Sequence, residues 1–204
     1  MSGAVATPAA TCARRGRPRD ERLDQEIAQA AVAVLADEGF DRFSVEAVAL
    51  RAGVAKTTIY RRFPSRGDLV SAALDHLGDE PLPQLKGTAL EQIRTLVGGV
   101  GVGGPGSTRG RILMHAAGAD DPAIAELVYE RVLSARSGLM RDAIAAGMQS
   151  GELRADLNID ATMAVLVGPM LYLGTWRNRA SIKGVTVDEV VDLVMKGLTP
   201  ASGS

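Results

Sequence analysis

The sequence predicts an all-α protein. Three observations carry this. Alanine, leucine and valine dominate the apolar residues, with only three phenylalanines, three tyrosines and one tryptophan in 204 residues. Apolar positions recur at helical spacing in several separate segments, and no stretch alternates in the period of two that a half-buried strand needs. Ser and Asp precede some of those segments and Gly follows them, as helix caps do.

The first periodic segment, "RLDQEIAQAAVAVLADEGF", sets Leu23, Ile27, Ala30, Ala31, Val34 and Leu35 on one face. Gly39 is expected to cap its C-terminus. In "DRFSVEAVALRAGVAKTTIYRRF", Ser44 is the expected N-cap of a short helix that turns Val45, Val48 and Ala49 inward. Gly53 marks a tight turn, and a second short helix is expected from about Ala55 to Arg62. Pro64 and Ser65 break this pattern and open another helix at "RGDLVSAALDHL". "GDEPLPQLKG" is a proline-bearing connector, and a helix follows from Thr88 to about Val97.

"GGVGVGGPGSTRG" is the segment expected to be most flexible. "RILMHAAGA" reads as a helix, and residues 120–151 as one long helix between an Asp121 N-cap, with Pro122 in its first turn, and a Gly151 C-cap. "DLNIDATMAVLVGPMLYLGTWRNR" is apolar nearly all round, which requires burial on more than one face. "TVDEVVDLVMKGL" is a last amphipathic helix.

Charge divides the chain. Net charge is −1, yet residues 12–66 hold 11 basic and 8 acidic side chains, whereas residues 67–204 hold 12 and 16. A basic first third on an acidic remainder implies two tasks. Cys12 is the single cysteine, which excludes intrachain disulfides and cysteine-rich zinc sites. No signal-peptide core and no membrane-length apolar run is present, so a soluble cytoplasmic protein is expected. The expected organisation is a disordered basic arm over 1–19, a small helical domain over 20–66, a larger helical domain over 67–198 and a disordered tail over 199–204.

Two short helices joined by a glycine turn make a helix-turn-helix, whose second helix enters the DNA major groove. In "VAKTTIYRRFPSRGDL" the apolar Val54, Ile59 and Phe63 fall on one side, and Lys56, Thr57, Tyr60 and Arg61 on the other. Thr57 and Thr58 offer hydroxyls and Lys56 and Arg61 offer cations, the groups that read base edges or hold phosphates. Ser44 is both a cap and a phosphate donor in this reading. Arg66 is a phosphate contact, and Arg62 fits either phosphate or solvent.

The stretch "GFDRFSVEAVALRAGVAKTTIYRRFPSRGDLV" resembles the TetR (tetracycline-repressor-like) family of bacterial transcriptional regulators, over Leu23 to about Leu77. The resemblance implies that Tyr60 contacts phosphate, that Phe63 anchors the core and that Arg66 stands for the family's usual lysine. Gly67 departs from the acidic residue usual after that cation. It further implies a homodimer formed through the last two helices (roughly 161–177 and 187–198), a small-molecule effector bound by the larger domain, and a double-stranded DNA operator. Upstream, "RRGRPR" is similar to the core of an AT-hook, so Arg14, Arg15, Arg17 and Arg19 are expected in a narrow A·T-rich minor groove.

For the effector, Met114, His115, Met140, Met163, Met170, Tyr172 and Trp176 are the expected lining, since such pockets are mostly apolar with few polar groups. Each is also an ordinary core residue by composition. No cofactor and no metal is expected. Gly101, Gly103 and Gly106 match a dinucleotide-binding spacing, but a helical segment precedes them and no βαβ unit surrounds them. Ser107 stands where a P-loop needs lysine. His76 and His115 with scattered carboxylates form no catalytic constellation, so no enzyme is expected. Two other classes fit parts of the sequence: a small-molecule-binding helical protein with an incidental helix-turn-helix, and an architectural DNA binder using the basic arm.

Overall fold

The structure, a computed structural model, describes residues 21–100, 107–176 and 184–200. Among these, every regular element is helical: α1 (Glu21–Arg42), α2 (Val45–Ala52), α3 (Lys56–Tyr60), α4 (Arg66–Gly78), α5 (Ala89–Val100), α6 (Thr108–Ala117), α7 (Pro122–Val128), a π segment (Tyr129–Leu133), α8 (Ser134–Ser150), α9 (Ile159–Trp176) and α10 (Val187–Leu198). The protein is all-α. The basic arm with Arg14, Arg15, Arg17 and Arg19, the glycines 101, 103 and 106, and residues 201–204 lie outside the described residues.

Local chemistry accounts for most ends. The Ser44 hydroxyl accepts the Ala47 N–H at 3.2 Å and opens α2. Gly53 closes α2 in the left-handed region. Ser65 and Asp68 form a capping box at the start of α4, and Thr186 and Glu189 do the same for α10. The Thr186 backbone and hydroxyl bonds hold the Glu189 carboxyl below its usual range. Asp121 caps α7 with Pro122 in its first turn, and Gly151 ends α8 at φ 80°.

Gly39 breaks α1 where the sequence expects its C-cap, at φ 78°, ψ 178°, and a short second helical piece follows to Arg42. Three expectations change. The second helix of the pair is shorter than expected, Lys56–Tyr60, because Arg61 and Arg62 already sit in a turn. α5 runs three residues past Val97 into the glycine-rich stretch, whose far end, Ser107 to Gly110, caps and opens α6. The long helix of residues 120–151 is divided by the π segment, whose wider turn changes the face that the following residues present.

Two hydrophobic cores form, and they do not divide at residue 66. The first joins α1 to α4 with α6, α7 and the π segment, through Ile27, Leu35, Val48, Ile59, Leu69, Leu74, Ile112 and Val132 among others. The second joins α5, α8, α9 and α10 through Ile93, Leu96, Ile144, Leu166 and Met195. Periodicity shows that a face of α4 or α6 is buried, not that helices before residue 66 bury it. At the end of α4, a Cβ on Gly78 would lie 2.1 Å from the Arg131 carbonyl oxygen, so only glycine lets α4 approach the π segment.

Candidate nucleic-acid interface

Ile59 sets the orientation of α3. It is fully buried in the first core, together with Val45, Val48 and Ala49 of α2. Burial of one such side chain is worth about 1.5–3 kcal/mol, enough to fix the rotation of a five-residue helix. With Ile59 inward, Lys56, Thr57, Tyr60 and Arg61 are all exposed, and Thr58 is half-buried at the edge. Val54 and Phe63 are half-buried and pack against the same core. The outward set thus lies together on one side of one short element, as the spacing predicts.

Several of these side chains already have protein partners. Lys56 Nζ lies 2.8 Å from a Glu46 carboxylate oxygen across the α2–α3 turn. The hydrogen bond raises the Lys56 pKa and lowers that of Glu46. Arg66 donates from Nε to the Phe43 carbonyl at 3.0 Å and from Nη2 to the Phe40 carbonyl, with its guanidinium 5.9 Å over the Phe43 ring. It ties the start of α4 to the α1–α2 corner. Arg62, left between phosphate and solvent by the sequence, is paired with Asp24 of α1. Its side chain is only 11% exposed, so it locks the end of α3 to the body of the domain.

This unit is also wired to α6. Asp37 of α1 accepts hydrogen bonds from Arg51 of α2 at 2.6 Å and from Arg111 of α6. The two guanidiniums, Arg51 first, hold the Asp37 carboxyl below its usual range. His115 Nε2 sits 3.3 Å from the Ala36 carbonyl. Arg131 of the π segment pairs with Asp75 of α4 at 2.5 Å, which raises the arginine pKa.

Two comparisons decide the family. The pattern described as "Bacterial regulatory proteins, tetR family" matches residues 27–73, and that described as "Tetracyclin repressor-like, C-terminal domain" matches residues 87–194. The uncharacterized HTH-type transcriptional regulator YdeS of Bacillus subtilis is 32% identical over 203 residues, 94% of this chain and 97% of that protein. The chain belongs to the TetR family. It is a DNA-binding transcriptional regulator. Among solved structures, FadR from Bacillus subtilis in complex with stearoyl-CoA superposes with a TM-score of 0.68 at 21% identity, over 85% of this chain and 98% of that one. HlyIIR, a hemolysin II transcriptional regulator, gives 0.63 at 14% identity, over 89% and 99%. At these identities the likeness is one of fold.

The residues expected to line a TetR-type effector pocket fall on α6, α8 and α9. His115 faces α1, half-buried, with its ring beside Gly39. Met114 is half-buried on α6. Met140 is 2% exposed inside the second core, and Met163 and Met170 pack on that core's edge. Tyr172 is 57% exposed on α9, and the side chain of Trp176 lies outside the described set. Two open grooves near the C-terminal end involve none of these residues. One, of about 780 Å³, runs past Met148, Leu153, Arg154 and Thr199, and the other, of about 320 Å³, past Leu90, Arg94 and Asp192. Among the described residues no group of His, Cys, Asp and Glu could hold a metal ion.

Proposed function

We propose that this TetR-family regulator is a homodimeric, ligand-responsive repressor that places α3 of each protomer in the major groove of a pseudo-palindromic operator. The observation that carries the reading is the exposed set Lys56, Thr57, Tyr60 and Arg61, held outward by the buried Ile59. Thr57 and Lys56 read bases, Tyr60 and Arg61 hold phosphates, and Ser44, Thr58 and Arg66 support the contact from its edges. Lys56 exchanges Glu46 for DNA on binding. The arm residues Arg14, Arg15, Arg17 and Arg19 follow the adjacent minor groove.

The dimer forms through α9 and α10. Ala161, Ala164, Val165, Gly168 and Tyr172 make an exposed stripe of small and apolar groups along α9, and Leu193 of α10 is 72% exposed. Small residues allow two helices to approach closely, and a stripe of this kind on a helix needs a partner. An effector bound in the larger domain favours a dimer whose α3 helices are wrongly spaced, to the extent that its affinities for the two states differ. No helix among the described residues is long and apolar enough to cross a membrane. The reading places the protein in the cytoplasm, on the nucleoid when bound.

Mobility shifts on the DNA upstream of its own gene test the assignment. Changes at Lys56 or Thr57 are expected to alter which operator sequence is preferred, and Tyr60→Ala to weaken all sequences alike. Equal binding by all three variants would remove α3 from the interface.

A further inference from the structure

Two arginines far apart in the sequence are buried together beneath the end of α4. Arg109, in the first turn of α6, is 5% exposed, and Arg136, near the start of α8, is 7% exposed. Arg109 is well satisfied. It donates to the Leu77 carbonyl at 2.7 Å and the Val132 carbonyl at 3.4 Å, and pairs with Glu80 at 2.5 Å. Arg136 has one long hydrogen bond, from Nη2 to the Pro81 carbonyl at 3.4 Å. Both guanidiniums therefore meet the same two-residue stretch of the connector after α4.

The charges do not balance. Glu80 is the only carboxylate within ion-pair distance of either arginine among the described residues, and its own side chain is 56% exposed. Every acidic residue of the chain except Asp20 lies within those residues. Burial, with the nearby charge of Arg109, lowers the Arg136 pKa, and Glu80 offsets this only in part. A buried charge without a counter-charge costs several kcal/mol in general, so it persists where something supplies the missing anion. Guanidinium matches the oxygens of carboxylate and phosphate with paired N–H donors.

We infer that Arg136 and Arg109 form an anion subsite of the effector site, taking the carboxylate or phosphate head group of a small organic ligand. The inference rests on the effector reading proposed above and gives it a chemical class. Glu80 pairs with Arg109 in the free protein and swings to solvent when the ligand anion arrives. The anion takes the guanidinium N–H groups that Glu80 leaves, while Arg109 keeps its bonds to the Leu77 carbonyl at the end of α4 and to the Val132 carbonyl of the π segment. Ligand charge is thus felt at the element that runs back to Arg66 and the recognition helix.

Calorimetry on the full-length protein without DNA tests this with octanoate, octyl phosphate and the neutral octanol. The wild type should bind at least one of the two anions saturably, and the tighter one assigns the head group. Glu80→Gln should bind that anion at least threefold tighter, since its competitor has lost its charge. Arg136→Met, which keeps the apolar stem, should bind it at least tenfold more weakly and should leave any octanol binding unchanged. Without ligand, Arg136→Met should melt at the wild-type temperature or above. The inference is overturned by an anion affinity that Arg136→Met leaves unchanged, by the absence of saturable anion binding in both wild type and Glu80→Gln, or by a ligand-free melting temperature several degrees lower in Arg136→Met. A parallel mobility shift separates the two levels. Operator binding without anion binding removes the subsite alone, and anion binding without an operator removes the regulator model alone.

Discussion

Arg61 and Arg62 are neighbours with opposite surroundings. Arg61 is exposed at the end of α3, whereas Arg62 is turned under the helix onto Asp24. Truncation should separate them. Arg62→Ala removes the ion pair with Asp24 and is expected to cost about 1–3 kcal/mol of stability, read as a lower midpoint in urea unfolding. Arg61→Ala should leave that midpoint in place and weaken DNA binding instead. A wild-type midpoint for Arg62→Ala would show that the pair is too solvated to matter. Glu46→Gln offers a third contrast, because Glu46 holds Lys56 and repels phosphate. DNA affinity should rise, most at low salt, and an unchanged affinity would place Lys56 away from the groove. Of these roles, sequence spacing supplies only the outward direction of Arg61. The partners of Arg62, Arg66 and Lys56 come from α1, α2 or the corner between them, across turns whose geometry no periodicity encodes.

Elements show the same division. Helices bounded by a cap and a glycine were legible, as with Ser44 and Gly53 around α2 or Asp121 and Gly151 at the ends of the α7–α8 stretch. Three features were not. The π segment has no composition of its own, since "YERVL" fits an α-helix equally well. Membership of α4 and α6 in the first core depends on tertiary packing. Arg109 and Arg136 lie on different helices, so their pairing leaves no mark on the sequence.

Two predictions belong at this scale. Gly78→Ala puts a methyl against the Arg131 carbonyl and should cost about 1–3 kcal/mol by overpacking, read in thermal unfolding. A wild-type curve would mean that α4 and the π segment separate freely. The Asp37 node should act in acid. Its folded pKa is depressed by Arg51 and Arg111, so its contribution is present above the unfolded carboxylate value of about 3.9 and is lost as pH falls through the folded pKa. Stability of Asp37→Asn should depend less on pH in that acid window, and an identical pH dependence would contradict the node.

At the scale of the whole molecule, the first core is shared between the DNA-contacting helices and the helices of the larger domain. α6 adds Ile112, Leu113 and Ala116 to it, and the π segment adds Val132. Residues 21–66 hold seven basic and seven acidic side chains, so the basic excess of residues 12–66 comes from positions 12–20, outside the described residues. Dimerisation would double the face that α3 presents. Val165→Glu, at a position 51% exposed on α9, should give a monomer in sedimentation equilibrium and abolish operator binding without lowering helicity. A dimer that survives this change would put the interface elsewhere.

Footprinting against the DNA upstream of the protein's own gene tests the central claim most directly. The account predicts two protected half-sites related by a two-fold axis, about 34–36 Å or a related spacing apart, with preferences that shift in Thr57→Ala. Uniform protection that ignores sequence, or a single half-site occupied by a monomer, would contradict it.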